Sequence, residues 1–241
     1  MLKAIQEREF NFSDVVSKGW LIYSQQFKAI VMITLIVYIP INIILYMVAG
    51  YMNSFRDFMN VIKILEGLFG VIAMMGIAVI ADHAIQNNDN LPISWGAALN
   101  KAFSRWSSCL TTSILGGIII LGLTFLLIIP GVIWSIYYIF IIQIVALREL
   151  GGKTALNYSK SLVKGRWWKT FGIVFALALI NGGIGFGIGY LSTSLPGSIS
   201  IITDTLIDII AAFYTVATTI LFLNLDYVSV EPRTTEIMLD L

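Results

Sequence analysis

Four ionisable residues stand inside stretches that are otherwise apolar enough to lie in a bilayer: Lys63 and Glu66 in one, Asp204 and Asp208 in another. A charge at the centre of a membrane helix costs about 2.5 to 3.5 kcal/mol on insertion scales, so such side chains face protein or water rather than lipid. Asp204 and Asp208 are one helical turn apart, and their face continues through Ala211 or Ala212 to Thr215 and Thr219. Two readings fit these residues. In the plainer one Lys63 pairs with Asp204 or Asp208, or Asp204 sits at the membrane interface, and the charges fix helix packing. That reading takes precedence, because charges within two turns of a helix end are common. In the sharper one Asp208 and Glu66 form a cation or proton site in an outward-facing cavity, which would suit a transporter.

Other chemistry is scarce. The single cysteine, Cys109, rules out an intramolecular disulfide, and the single histidine, His83, leaves neither cysteine-histidine nor multi-histidine zinc patterns. We therefore expect no metal site and no cofactor. No His, Cys, Asp and Glu set converges near one membrane depth, which argues against an enzyme.

The elements that must position these residues are helices. The 241 residues are 58% hydrophobic and 12% charged, too apolar for a polar surface, and a net charge of +1 offers no case for nucleic acid as a partner. A helix needs about 20 mostly apolar residues to cross the hydrocarbon core. Six stretches fit, at 29–49, 58–81, 110–129, 132–147, 171–191 and 201–225. The sequence thus predicts an all-α, polytopic integral membrane protein forming a single domain over 1–241. Only Pro130 and Gly131 separate the third and fourth stretches, which therefore read as a tight hairpin turning there. Pro40 is expected to bend the first helix.

Positive charge sets the expected orientation. Of the 15 lysines and arginines, all except Arg56 and Lys63 fall on one side of these spans. The positive-inside rule then places that side, with both termini, in the cytoplasm. Trp20, Trp95, Trp106, Trp167 and Trp168 gather near the same ends, as an interfacial aromatic belt would. The opening ten residues mix charged and apolar types and do not read as a removable signal peptide.

Three short amphipathic approaches, at 11–26, 94–106 and 153–168, lead into the odd-numbered spans. Ala98-Leu99-Asn100 recurs as Ala155-Leu156-Asn157, and Ile-Pro occurs at 39–40 and 129–130. These matches predict three helix hairpins, each carrying an amphipathic helix on the cytoplasmic membrane surface.

Small residues mark expected helix contacts. Gly182, Gly185 and Gly189, with Ala178, form one face of the fifth span, and Ser113 with Gly117 forms another on the third. Such faces serve packing within one bundle or between copies of the chain, so a homo-oligomer or a membrane partner protein is an expected class of partner. Asn181 and Gln143 are deep amides that need hydrogen-bond partners across the bundle. The stretch from Arg148 to Lys169 is the most basic in the chain, with Glu149 as its one acid. Lys160, Lys164, Arg166, Trp167, Trp168 and Lys169 are the expected contacts with anionic lipids of the cytoplasmic leaflet, each basic residue contributing about 1 kcal/mol close to the surface.

Ile129-Pro130-Gly131, Trp134, Val145-Ala146-Leu147, and then Ala155, Ser159, Leu162, Val163, Gly165 and Trp168, together with the opening FSDVVSKGWLIYSQQFKAI, resemble a bacterial membrane-protein superfamily. That superfamily includes the membrane domain of glycerophosphoryl diester phosphodiesterases and the YciC-like proteins. The resemblance implies a six-helix protein of the bacterial cytoplasmic (inner) membrane. It carries over no catalytic residue, since the phosphodiesterase chemistry belongs to a separate soluble domain. Where the family has an acid after Val-Ala-Leu, this chain has Arg148 and then Glu149. Two functions follow as expectations. One is a non-catalytic accessory or resistance-type protein acting on the lipid environment or a partner complex; the other is a transporter or translocator with its polar site around Asp208.

Overall fold

Lipid offers no hydrogen bonds, so a chain this apolar must satisfy its backbone internally, and it does so with helices. The computed structural model describes residues 2–49, 51, 54, 59, 61–62, 64–86, 93–192 and 199–239, with side chains from Ile5 to Ser229, and among them there is no strand. The helices in chain order are α1 (Leu2–Glu7), α2 (Phe12–Gln25), α3 (Phe27–Ala49), α4 (Glu66–Gln86), α5 (Trp95–Ser104) and α6 (Trp106–Leu126). There follow α7 (Ile128–Tyr137), α8 (Ile141–Leu147), α9 (Gly152–Val163), α10 (Trp167–Ser192) and α11 (Ser200–Leu239). Six are long and apolar enough to cross a membrane, counting α7 and α8 as one span and taking α11 as far as Ser229. The chain is an all-α, multi-pass membrane protein.

Burial divides the spans into two kinds. Within their most apolar windows, 67% of α4 and 56% of the spanning part of α11 are buried, against 17% for α6 and α10. So α4 and α11 form the core, and α6 and α10 face outward. Each predicted hairpin is present as a packed pair, α3 with α4, α6 with α7, and α10 with α11, yet α11 also packs along α3, α2, α4 and α1. The last helix therefore ties the first hairpin to the third.

The chain enters through a reciprocal cap. Asn11 Oδ1 accepts from the Asp14 amide at 2.9 Å, Asp14 Oδ2 accepts from the Asn11 amide at 3.0 Å, and Arg8 braces Asp14 at 2.8 Å. These contacts hold the Asp14 carboxyl below its usual range, the Asn11 amide first and the Arg8 guanidinium next. From there α2 crosses α11 so closely that a Cβ on Gly19 would stand 3.4 Å from the Ala217 Cα.

The amphipathic approaches pack on spans of their own chain. The buried side of α2 rests on α11; α5 lies along α4; and α9 sits against α6 and α8, with Leu156 beside Gly116. Leu99 of α5 reaches the middle of α4 near Gly76. Just past α5, at the first residue of α6, the Trp106 indole donates to the Leu68 carbonyl at 2.5 Å, in a π-helical turn over Glu66–Gly70. Segment 94–106 thus runs along a core helix, and half-buried Trp106 caps an irregular turn between the exposed rings of Phe69 and Phe103.

Three further expectations need correction. The turn between the third and fourth spans falls at Leu127, which is extended (φ −156°, ψ 135°), and Pro130 lies in the first turn of α7. Gly131 is required for a different reason: any Cβ there would lie 3.0 Å from the Thr124 Cα and closer still to its hydroxyl. Secondly, the fourth span is broken at Tyr138–Phe140. Ser159 of α9 repairs the break by donating to the Tyr137 carbonyl at 2.7 Å and accepting from the Phe140 amide at 3.3 Å. Thirdly, the approach predicted over 153–168 stops being helical at Val163, and Trp167 and Trp168 open α10. Helix α3 runs through Pro40 without interruption.

Candidate functional site: a polar cleft at Asp208

Helix periodicity alone puts Asp204 and Asp208 on one face of α11, and the antiparallel packing of α3 against α11 supplies their neighbours. One residue there was not foreseen. Asn42, buried two positions after Pro40, donates from Nδ2 to Asp208 Oδ2 at 2.8 Å and to Thr205 Oγ1 at 3.2 Å. Thr205 in turn donates its hydroxyl to the Ile201 carbonyl at 2.6 Å. One oxygen of Asp208 is thereby fixed to α3. A deep amide in an apolar run was the signal that could have revealed Asn42, as it did Asn181 and Gln143.

Asn42, Glu66, Asp204 and Asp208 line a cleft of about 620 Å³, together with Tyr46 and Ser200. The π-helical turn delivers Glu66 to it from α4. Three of the four residues singled out for charge therefore share one cavity. The fourth, Lys63, lies outside the described residues, and so does the ion pair read for it. Asp208 also lines a second, smaller cavity of about 160 Å³ behind the cleft, with Thr34, Tyr38, Asn181, Tyr214 and Thr215. Among the described residues it is the one the two cavities have in common. Among the described residues no three His, Cys, Asp or Glu side chains converge closely enough to hold a metal ion.

The basic end carries a network that sequence reasoning missed. Asp226 of α11, 3% exposed, accepts from Arg148 Nε at 2.8 Å and Nη2 at 2.5 Å, and from the Tyr158 hydroxyl. Arg148 also lies over the rings of Phe222 and Tyr227, at 5.7 and 5.8 Å. Between this network and the cleft, Gln143 donates to Thr218 Oγ1 at 3.4 Å, and its Oε1 is buried without a partner among the described residues. Asn181 is drawn to the smaller cavity and so belongs with Asp208.

The expected small-residue contacts shift by position. A Cβ on Gly185 would meet Ile207 Cγ2 at 3.6 Å, whereas Gly182 and Gly189 have open space where a side chain would be. On α6 the tight glycine is Gly116, whose Cβ would come within 3.1 Å of Ile141 Cδ1 and 3.2 Å of Leu156 Cδ2; its neighbour Gly117 also faces open space. Ser113 is half-buried on the same helix.

The basic stretch is less free than its composition suggests. Glu9, between α1 and α2, bridges Lys169 at 2.8 Å and also pairs with Arg166, which donates further to Ser229 Oγ at 2.9 Å. Partial burial alone would raise the Glu9 pKa, but Lys169 and Arg166 outweigh it and hold the carboxyl below its usual value. Glu149 turns instead to Arg105, and the acid that folds onto Arg166 and Lys169 is Glu9. Lys160 stacks its ammonium over Trp134 at 4.9 Å, and Trp167 donates to the Ile133 carbonyl at 3.1 Å while stacking on Phe171. Lys164 and Trp168 remain exposed.

No family model matches the chain, and no similar curated protein or solved structure was found.

Proposed function

We propose that the chain is a membrane transporter whose cation or proton site is Asp208, with Asp204 and Glu66 lending negative charge to its cleft. The observation that carries this reading is the open cleft reaching Asp208, with a second cavity immediately behind that side chain. A carboxylate that exists only to pin two helices has no need of open volume on both sides. The resemblance to the bacterial six-helix superfamily, the bacterial cytoplasmic membrane as the location, and cytoplasmic termini are part of the same proposal. They rest on the sequence motifs and on the positive-inside asymmetry.

The test is transport in vesicles reconstituted with the full chain. A pH gradient imposed across them should dissipate faster than across empty vesicles, and Asp208→Asn should abolish the difference. Equal rates for the variant and the parent over pH 5 to 8 would refute the role of Asp208.

The second reading, a non-catalytic accessory acting on lipid or a partner complex, draws on exposed Lys164 and Trp168 beside the apolar ends of α7 and α10. It predicts retention of anionic lipid at that end whatever residue stands at 208.

A further inference from the structure

A third cavity meets the pair around Asp208 from the side. It is a groove of about 510 Å³ between α2, α10 and α11, and its walls include Trp20, Tyr23, Phe27 and Phe213. Its rings form a set: Trp20 stacks on Tyr23 with centroids 5.9 Å apart, and Phe213 meets Tyr23 edge-on at 5.9 Å and Trp20 at 6.1 Å. Trp20 is 61% exposed, and Ile180 and Leu206 are exposed beside it, so the groove opens on the outside of the bundle, where lipid lies. Its inner wall is Asn181 and Tyr214, and both also line the small cavity that holds Asp208. Three cavities thus follow one another, from aromatic groove to small pocket to acidic cleft, each divided from the next by one or two side chains.

Their chemistry selects an occupant. No Lys, Arg or His lines any of the three among the described residues, while carboxylates line the inner two. Aromatic faces attract cations, and more strongly where water is excluded. A hydrated inorganic ion has no use for an apolar groove open to lipid. An anion would meet, among the described charged residues, the carboxylates of Asp208, Asp204 and Glu66 and no cation. A body that is greasy and positively charged satisfies every wall.

Building on the transporter reading, we infer that the substrate class is a monovalent organic cation with an apolar body, entering sideways from the bilayer between α2 and α10. In this route Trp20 and Phe213 receive the apolar body and Asp208 receives the charge.

The experiment is equilibrium binding of tetraphenylphosphonium to the full chain in neutral phosphatidylcholine nanodiscs, with empty nanodiscs as background. Tetraphenylborate, alike in shape and opposite in charge, is the control. We expect saturable phosphonium binding, no saturable borate binding, and about a tenfold loss of affinity in both Asp208→Asn and Phe213→Ala. Trp20→Ala, at an exposed position, supplies a variant whose folding is not at issue and should weaken binding in the same direction. Absence of saturable phosphonium binding, equal binding of the borate, or indifference to all three substitutions would overturn the inference. The two proposals fail separately. If Asp208→Asn stops proton flux while phosphonium does not bind, the transporter stands without this substrate class. If phosphonium binds through Asp208 but no flux is seen, the binding site stands and the transport reading falls.

Discussion

Arg148 and Asp226 show how much one buried pair decides. Asp226 is almost fully enclosed, and Arg148 and Tyr158 together satisfy its oxygens. Removing one member leaves the other charge without its partner, which costs about 3 to 5 kcal/mol, whereas replacing both with apolar residues costs far less. Arg148→Met should therefore strongly lower the thermal unfolding midpoint in detergent, and Arg148→Met with Asp226→Leu should recover much of the loss. Glu9 allows a pH prediction. Its carboxyl sits below the ordinary value of 4.5, so its contribution is complete above that value and disappears as pH falls through the lower folded value. The docking of the α1–α2 corner should weaken only below about pH 4.5, and Glu9→Gln should remove that pH dependence; proteolysis of the N-terminal segment over a pH series reads both.

Residues also mark how far the sequence could be read. Glu66, Asp204 and Asp208 were recognisable because charge stands out in an apolar run and helix periodicity groups it. Asn42 carried the same signal as Asn181 and Gln143, a lone amide in an apolar run, but nothing local ties it to Asp208, 166 positions on. Glu9 lies 160 positions from Lys169, and no local pattern links residues so far apart. Gly116 and Gly117 show a finer limit: adjacent glycines point about 100° apart on a helix, and only the neighbour's position says which one is in contact.

At the scale of elements, that last pair becomes a measurement. Gly116→Val should push against Ile141 and Leu156 and cost about 1 to 3 kcal/mol, while Gly117→Val, facing open space, should change stability by no more than about 0.5 kcal/mol. Equal effects at the two positions would contradict the packing of α6 on α8 and α9. The broken fourth span gives a second measurement. Ser159→Ala leaves the Tyr137 carbonyl and the Phe140 amide without their partner and should cost about 1 to 3 kcal/mol, with faster hydrogen exchange confined to the Tyr138–Phe140 break. The existence and order of the helices were legible because apolar length is a strong signal. The breaks at Leu127 and Tyr138–Phe140 were not, since both fall inside runs of uniformly apolar residues where hydropathy stays high. The proline that invited a turn at 130 instead starts a helix, a role that suits it equally well.

For the whole molecule, the two sets of basic residues should separate by experiment. Lys164→Gln should weaken retention of anionic lipid by about 1 kcal/mol with little change in stability. Arg166→Ala should loosen the N-terminal corner, because Arg166 is already engaged by Glu9 and Ser229. Lipid counted by native mass spectrometry, set beside unfolding midpoints, distinguishes the two effects.

The side chain of Asn224 grips the segment Ile5–Phe10: it accepts from the Phe10 amide at 2.7 Å and donates to the carbonyls of Ile5 and Arg8 at 2.7 and 2.8 Å. Phe10 and Asn224 are 214 positions apart. At a synthesis rate of about 5 to 20 residues per second, the first turns must wait on the order of 10 to 40 seconds for the residue that receives them. Throughout that interval Ile5 and Phe10, both fully enclosed in the finished protein, have no berth. A ribosome halted before position 224 would leave those two apolar side chains without the cover the finished fold gives them.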